Sequence, residues 1–401
     1  MGGRIMASTI NSSTSNGIVI TPDTSGEIEL QANGVTKAKV TANGLQDANG
    51  NSLRGGSFRN LIINGDMRIA QRGTSVSGIT TSGYYTCDRW NHVFSTAGTW
   101  TFTQDTDVPS GQGFANSLKM ACTTANASLS ASSSFQLHYR FEGQHLQHLK
   151  KGTANAESVT LSFWIKSNKT GTYQVNIQDR DNTRMISSTY TIDSADTWEK
   201  KILTFAGDTT GAFDNDNNDS IRMSWFLVSG SNYNTGSVPT SWEATDTIDL
   251  AAGLTVNLAD STSNYINITG VQLEIGEGAS DFEFLPYDVQ LQRCQRYYQR
   301  YAESTNTNFT GWFGGVQYTG TAAYGDFIFT VPMRANPSFD FLTLSNMQIL
   351  RNGAYTVPTN ITASTTNSTA RMAVITSGGN TAGHAFLIQA FSNHFNFDAE
   401  L

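Results

Sequence analysis

Four aromatic residues are candidates for ligand binding, because the sequence around them is rich in glycine, threonine and serine, which favours exposure. They are Trp242, Trp312, Tyr318 and Tyr324. Flat aromatic rings stack on sugars, and nearby polar groups then orient the sugar hydroxyls. Trp90, Trp164 and Trp225 lie instead within strand patterns, which predicts that they belong to the core. We therefore take the first four as candidate glycan-binding residues.

Strong catalytic motifs are missing from the sequence. It contains no Gly-x-Ser-x-Gly, no His-Glu-x-x-His and no Gly-Lys pair, which are signatures of hydrolases, zinc proteases and phosphate loops. The sequence leaves open whether two carboxylates are paired for glycoside hydrolysis, because their separation in space leaves no mark in the sequence. We expect no catalytic residues, no cofactor and a protein that is not an enzyme.

One acidic segment, Asp214–Asp219, resembles the start of a calcium loop. It fails the EF-hand template, because Asp219 stands where glycine is needed and Trp225 stands where a bidentate glutamate is needed. Zinc is also disfavoured, since His138 falls in a strand pattern apart from the later histidines. We therefore predict a solvated turn at Asp214–Asp219 and no metal ligands, with an oxygen-lined calcium site of another kind as the alternative.

Length and charge narrow the class of protein. The chain has 401 residues, which predicts two or three domains, and 38% of them are hydrophobic, which is enough for real cores. Its net charge of -8 disfavours nucleic acid, which is bound by clustered Lys and Arg. No apolar run reaches the roughly 20 residues of a membrane helix, so we expect no membrane insertion.

The N-terminal part repeats one turn signal. The tripeptide Ala-Asn-Gly ends at Gly34, Gly44 and Gly50, between short runs that alternate polar and apolar residues. Asn-Gly between such runs is the strongest local sign of a β-hairpin. A lone hairpin is marginal in water, so we predict an oligomeric stem, with a flexible tail as the alternative. Residues Asn51–Ser57 look like a linker.

Strand-like stretches follow at regular spacing, separated by turn residues, which is typical of a sandwich or jelly roll. The predicted strands are Thr99–Gln104, Ser133–Phe141, Ser158–Ser167, Thr172–Gln178, Ile186–Ile192, Trp198–Phe205, Ile221–Val228 and Tyr265–Ile275. Gly143–Lys150 could form one short helical turn. The sequence therefore predicts an all-β fold class with a jelly-roll-like β-sandwich.

A single helix is predicted from Pro286 to about Ser304. Its apolar positions have the 4, 3, 4, 3 spacing of a heptad seam: Tyr287, Leu291, Cys294, Tyr298 and Tyr301. These five residues are candidates for the seam of a homotrimer. The alternative is a helix that packs on its own domain. A second β domain is expected from Phe309 to Leu401.

Several segments, taken in order, resemble bacteriophage tail fibre proteins that carry a carbohydrate-binding-module-like β-sandwich. They are Asn60–Met67 with Arg72-Gly, Cys87–Trp90, Ser158–Ser167, Trp198–Thr204, Gly270–Gly276 with Phe282-Glu283, Cys294–Tyr298 and Val331–Pro337. Each segment alone is a weak signal, but their common order covers about residues 57–340. The resemblance implies a virion protein assembled in the host cytoplasm, with host-surface glycan and other phage tail or virion proteins as partners.

The expected organisation has four parts. Residues 1–56 form a stem for attachment to the virion, residues 57–285 the sandwich, residues 286–304 a connecting helix and residues 305–401 the C-terminal β domain. We expect a homotrimeric tail fibre that takes part in host-surface recognition. A capsid or neck appendage and a polysaccharide-degrading tailspike are the alternatives.

Overall fold

The structure is a computed structural model, and it is nearly all β. It describes residues 28–32, 34–41, 44–47, 58–302, 310–390 and 393–401. Within these ranges the strands form five antiparallel sheets, of which one belongs to the stem and two to the sandwich. The predicted all-β, jelly-roll-like fold class is confirmed.

The hairpin predicted in the stem is confirmed. Strand β1 (Ile28–Ala32) pairs antiparallel with β2 (Val35–Thr41), which pairs with β3 (Gly44–Asp47). Gly34 lies between the first two strands with φ of +73°, which glycine adopts without steric cost. Predictions on three other segments lie outside the described residues: Ala48–Gly50, Asn51–Ser57 and residues 1–27.

Thirteen strands build the sandwich within residues 58–285. They are β4 (Ser75–Ile79), β5 (Gly83–Tyr84), β6 (Asn91–Ser95), β7 (Thr99–Asp105), β8 (Ser117–Thr124), β9 (Ser134–Glu142), β10 (Val159–Ser167), β11 (Gly171–Asp179), β12 (Arg184–Ile192), β13 (Glu199–Phe205), β14 (Asp219–Ser229), β15 (Glu243–Ala244) and β16 (Tyr265–Ile275). One sheet has the order β13-β10-β16-β8-β7-β4, and the other has the order β15-β12-β11-β14-β9-β6-β5. Each of the eight predicted strands overlaps one of these.

The sandwich core explains why these segments form strands. Along β14 the side chains of Ile221, Met223 and Trp225 alternate toward the core, as the period of two requires. Trp90 and Trp225 are buried there with ring centroids 5.7 Å apart, which confirms the prediction for both. Trp164 differs: it is only half-buried, because its neighbours on β10 are the ones that face the core.

Short helical elements connect the strands. Helix α1 spans Ser231–Asn234, and 3₁₀ turns span Gly143–His145, Gln147–Leu149, Thr247–Asp249 and Leu344–Asn346. The first two turns confirm the helical turn predicted for Gly143–Lys150.

The predicted helix begins in the right place but is shorter than expected. Helix α2 spans Tyr287–Gln295, directly after Pro286, and it does not continue to Ser304. At the end of the helix Arg296 and Tyr297 both donate hydrogen bonds to the carboxylate of Glu142. The chain then enters strand β17 (Tyr298–Ala302), because its backbone pairs with a distant strand near residue 398.

The C-terminal part contains nine further strands among the described residues. They are β18 (Thr310–Gln317), β19 (Ala322–Ile328), β20 (Ser338–Phe341), β21 (Met347–Arg351), β22 (Ala354–Thr356), β23 (Asn360–Thr365), β24 (Thr369–Ile375), β25 (Ala385–Ala390) and β26 (His394–Asp398). Sheet β22-β21-β25-β18-β19-β24-β23 and sheet β17-β26-β20 share a second hydrophobic core. Phe395 and Phe397 lie in that core, buried among aromatic neighbours.

Charged side chains join the sandwich to the C-terminal strands. The guanidinium of Arg89 is buried, lies 3.4 Å from the ring centroid of Tyr297 and pairs with Glu400. Arg334 donates hydrogen bonds to the carbonyl oxygens of Asn217 and Ala399, at 2.7 and 2.8 Å. The segments that carried the resemblance at Cys87–Trp90, Cys294–Tyr298 and Val331–Pro337 therefore meet at this junction.

Candidate functional site

Two of the four candidate aromatic residues lie together on the C-terminal β domain. Tyr324 belongs to β19, and Tyr318 follows directly after β18, which pairs antiparallel with β19. Their ring centroids are 5.5 Å apart and the rings are inclined at 65°, an edge-to-face arrangement. The ring of Tyr318 is prominent at the surface, with 66% of the residue exposed.

A tight turn places the two tyrosines side by side. The backbone N–H groups of Tyr318 and Thr319 both donate to the carbonyl oxygen of Ala322, at 2.8 and 3.0 Å. The hydroxyl oxygen of Thr319 accepts hydrogen bonds from the N–H groups of Thr321 and Ala322, at 3.3 and 3.0 Å. Threonine is common in such turns, because its hydroxyl satisfies backbone donors locally.

Two charged residues complete this site. Asp326 on β19 lies opposite Arg371 on β24, and the guanidinium of Arg371 lies 4.6 Å from the ring centroid of Tyr324. No ion pair within 4 Å joins Asp326 or Arg371 to another residue in the part of the chain that the structure describes. Both charges are therefore available to a ligand.

These side chains line one cavity of about 430 Å³, which we call the tyrosine cavity: Val316, Tyr318, Tyr324, Gly325, Asp326 and Arg371. A volume of this size lies in the range of small-molecule sites. Gly325 permits the close approach of β18, because a Cβ atom there would lie 2.5 Å from the carbonyl oxygen of Gly314. Aromatic rings, a carboxylate and a guanidinium on one surface can bind a polar ligand that also has an apolar face.

The other two candidate aromatic residues lie elsewhere. Trp242 is half-buried against the sandwich core, and its indole N–H donates to the carbonyl oxygen of Ala206 at 2.6 Å. Trp312 is half-buried against the C-terminal core, with its ring centroid 4.7 Å from that of Phe395. The structure therefore unites Tyr318 with Tyr324 but not with either tryptophan.

The five predicted seam residues do not form one helical face. Tyr287, Leu291 and Cys294 lie on α2, where Cys294 is fully buried within this chain. Tyr298 and Tyr301 belong to the next strand instead, which corrects the predicted seam. The guanidinium of Arg72 lies 3.6 Å from the ring centroid of Tyr298, and Tyr301 stacks on an aromatic residue of the C-terminal core. Backbone pairing overrides the heptad spacing here.

Burial also explains the thiol chemistry of this region. Desolvation raises the pKa of the Cys294 and Cys87 thiols well above the usual range, so both are inert thiols at neutral pH. Among the described residues, no group of three or more His, Cys, Asp or Glu side chains is arranged to hold a metal ion. Asp219, in the acidic segment, pairs instead with Arg222 at 2.5 Å.

Sequence reasoning missed Asp326 and Arg371. Neither residue belongs to a motif, and they meet only because β19 and β24 pair across a long sequence separation. The alternation of Tyr324 and Asp326 on one strand could have suggested a shared outer face.

In the part of the chain that the structure describes, no helix is long and apolar enough to cross a membrane.

Comparisons with known proteins give structural neighbours alone. No protein-family model matches this chain, and no curated protein matches it. Similar solved structures include the enzymatically active domain of bacteriophage CBA120 tailspike protein 4, with 12% identity and a TM-score of 0.28, over 55% of this chain and 22% of that chain. The match thus spans less than a quarter of the tailspike chain.

Carbohydrate-binding modules are also among these neighbours. One is a CBM4 module, with 10% identity and a TM-score of 0.27, over 53% of this chain and 97% of that chain. Another is the family 11 module from Clostridium thermocellum in complex with a β-1,3-1,4-mixed-linked tetrasaccharide. It has 12% identity and a TM-score of 0.24, over 52% of this chain and 98% of that chain. TM-scores this low carry no argument about function.

Proposed function

We propose that this chain is a structural protein of a bacteriophage particle, a tail fibre whose C-terminal β domain binds a glycan on the host surface. The observation that carries the binding part is the tyrosine cavity, in which two adjacent rings meet the unpaired charges of Asp326 and Arg371. Sugars combine an apolar ring face with directional hydroxyls, so they match such a surface.

The geometry favours binding over cleavage. Glycoside hydrolysis by the usual mechanism needs two carboxyl groups on either side of the scissile bond. Asp326 is the one carboxylate among the described residues that line the tyrosine cavity. A sugar held there would accept hydrogen bonds from Arg371 and donate them to Asp326 without a second acid to complete the reaction.

The virion part of the proposal is supported by the resemblance, whose segments contact each other within the sandwich. The side chain of Asn60, in the first segment, donates to the carbonyl oxygen of Val271 and accepts from the N–H of Leu273, both at 3.1 Å. Glu283 then accepts hydrogen bonds from the N–H groups of Phe58 and Asn60. The segment that begins at Asn60 and the segment Gly270–Gly276 with Phe282-Glu283 thus form one structural unit.

The stem supports assembly into an oligomer. Leu30, Val35, Val40 and Leu45 are between 39% and 55% exposed on its three-stranded sheet. A sheet this small cannot bury its own apolar side chains, whereas copies from several chains can cover each other. The proposed homotrimer therefore depends on the stem and no longer on a helical seam. Sedimentation equilibrium of the purified chain should give three times the chain mass, and a stable monomer would disprove it.

Glycan binding is tested with surface polysaccharide purified from host cells and titrated into wild-type protein and two variants. Tyr318→Ala should weaken binding about fivefold, because stacking on one aromatic ring is worth on the order of 1 kcal/mol. The matched control is Tyr355→Ala, which removes a tyrosine that is 58% exposed on the same sheet but does not line the cavity. Equal losses in both variants would refute the tyrosine cavity as the binding site.

Placement in a particle is tested separately. Mass spectrometry of purified phage particles should detect the chain, and labelling it in electron micrographs should mark the tail. A label on the capsid or the neck would favour the appendage instead. Absence of the chain from particles would contradict the virion proposal as a whole.

A further inference from the structure

A second cavity, of about 350 Å³, lies in the sandwich part of the chain, and we call it the arginine cavity. Its walls come from the first residues of the sandwich, the end of β9, the turn that follows β9 and helix α2. Its polar lining includes Glu142, His145, His148, Arg293 and Arg296, and the ring of Phe58 lines it as well.

Positive charge exceeds negative charge in this cavity. Arg89, Arg140, Arg293 and Arg296 line it, and Glu142 is the one carboxylate among the described residues of its walls. That carboxylate is fully used: it accepts two hydrogen bonds from Arg296, at 2.9 and 2.6 Å, and one from the hydroxyl of Tyr297 at 2.5 Å. In a chain with a net charge of -8, such a concentration of arginine indicates attraction for an anion.

Arg293 has unused hydrogen-bonding capacity. Its Nη1 atom is buried and has no hydrogen-bond partner among the described residues. The other three arginines of the cavity differ, because Arg89, Arg140 and Arg296 pair with Glu400, Asp219 and Glu142. Arg293 lines the cavity and forms no ion pair within 4 Å among the described residues, so it is the arginine with which an incoming anion would pair.

An aromatic ring lies beside this free guanidinium. Phe58 is 57% exposed, and its ring centroid lies 5.8 Å from the guanidinium carbon of Arg293. Its backbone is held in place by a 2.6 Å hydrogen bond from its N–H to a carboxylate oxygen of Glu283. A ligand that carries both a carboxylate and an apolar ring face would satisfy the two groups together.

We propose that the arginine cavity binds an acidic saccharide, with the carboxylate on Arg293 and the sugar ring on Phe58. Guanidinium groups bind carboxylates through two parallel hydrogen bonds, and aromatic rings stack on the sugar face. This inference does not rest on the proposed function, because the arginine cavity and the tyrosine cavity have no residue in common.

The test uses D-glucuronate as the probe, D-glucose as the neutral control and inorganic phosphate as the simple anion, each titrated calorimetrically into the full chain. Saturable glucuronate binding at least tenfold tighter than binding of glucose or phosphate is expected. No saturable binding, or equal binding of glucose, would overturn the proposal. Phosphate binding as tight as that of glucuronate would also overturn it, by reducing the site to a general anion site.

Variants then locate the site. Arg293→Gln should weaken glucuronate binding at least tenfold, whereas Arg180→Gln removes the same charge from an exposed position and should leave it unchanged. Phe58→Ala, at an exposed side chain that the fold does not need, should weaken binding several-fold even if Arg293→Gln does not fold. Unchanged affinity in Phe58→Ala, or in a folded Arg293→Gln, would overturn the proposal. Loss of glucuronate binding in Tyr318→Ala alone would also overturn it and assign the acidic sugar to the tyrosine cavity.

Discussion

The sandwich and the C-terminal β domain use charge in opposite ways. In the sandwich, the buried ammonium of Lys151 lies 2.6 Å from a carboxylate oxygen of Asp179 and 3.1 Å from one of Asp208. It also donates to the carbonyl oxygens of Thr210 and Gly211, both at 2.7 Å. In the tyrosine cavity, by contrast, the charges are unpaired and open to solvent. Paired buried charges specify the fold, whereas unpaired exposed charges are available for binding.

The same contrast holds for the aromatic residues. Trp90, Trp100 and Trp225 are at most 1% exposed and fill the sandwich core, whereas Tyr318 is 66% exposed. Burial of such large rings supplies much of the stability of a domain, and an exposed ring gives up that gain. The buried rings of the sandwich therefore serve its stability, whereas the exposed rings on the outer sheet of the C-terminal domain are available for the proposed binding of host glycan.

The largest effect is expected from Lys151→Met. Removing the ammonium leaves Asp179 and Asp208 buried without their shared cation, and breaking a buried ion pair in this way costs about 3 to 5 kcal/mol. The free energy of unfolding, measured by chemical denaturation, should fall by that amount. The control is Lys150→Met, which breaks an exposed pair with Glu157 and should cost less than about 1 kcal/mol. Similar losses in both variants would contradict the contrast drawn above.

A smaller loss is expected at the junction. Glu400→Gln leaves the buried guanidinium of Arg89 without its counter-charge, although the amide can still accept a hydrogen bond. Hydrogen bonds to charged groups contribute about 1.5 to 3 kcal/mol, so the free energy of unfolding should fall by about 2 kcal/mol. Glu277→Gln, at an exposed position, is the control and should leave it unchanged. If Glu400→Gln behaves like that control, the junction is not held by its charges.

Acid should weaken the sandwich through His92. The imidazole ring is buried and stacks on Phe102, with the two ring centroids 4.0 Å apart. Desolvation lowers its pKa to about 3. The unfolded chain takes up a proton near pH 6.5, but the folded chain does not, so the stabilising neutral form is fully effective above pH 6.5. Stability should be lost as the pH falls from there toward 3, by at most about 1.4 kcal/mol per pH unit.

The variant His92→Phe isolates this contribution. Between pH 6 and 5, unfolding of the wild type should take up about one proton more than unfolding of His92→Phe. The number of protons is obtained from the slope of the unfolding free energy with pH, measured by denaturation at each pH. The buried His138 supplies a remaining slope, because desolvation also lowers its pKa. Parallel pH profiles for the wild type and His92→Phe would show that His92 titrates alike in both states.

The sandwich could be predicted from the sequence because its strands follow local rules. Tyr265–Ile275 was predicted with the bounds that the structure has, and Ser158–Ser167 differs by one residue at its start. Alternation and turn residues suffice there. The end of α2 could not be found in this way. The spacing of Tyr298 and Tyr301 suits a helix, but their backbone pairs with Asp398 and Phe395, about one hundred residues away in the sequence.

The sequence pointed to the two tyrosines of the tyrosine cavity but not to its two charged residues. Tyr318 and Tyr324 stand out because bulky aromatic residues are unusual in a segment rich in glycine and threonine. Asp326 and Arg371 carry no such signal, since their proximity depends on the pairing of β19 with β24. Trp242 has the same kind of surroundings as Tyr318, yet its indole packs on the sandwich core. Composition alone does not reveal which side of a strand faces out.

The smallest effect is expected from Asp326→Asn in the tyrosine cavity. The amide keeps one oxygen acceptor but loses the negative charge, and charge-assisted hydrogen bonds are about twice as strong as neutral ones. Affinity for host polysaccharide should therefore fall only about threefold, which corresponds to about 0.6 kcal/mol.

The same variant separates binding from cleavage. If Asp326 is a binding group, neither the wild type nor Asp326→Asn shortens the polysaccharide, and size-exclusion chromatography gives the same chain-length distribution before and after incubation. A shortening by the wild type that Asp326→Asn abolishes would instead make the cavity an active site. Because hydrolysis needs two carboxyl groups, a second one would then have to approach Asp326 from outside the described residues of this cavity, such as from a neighbouring copy of the chain.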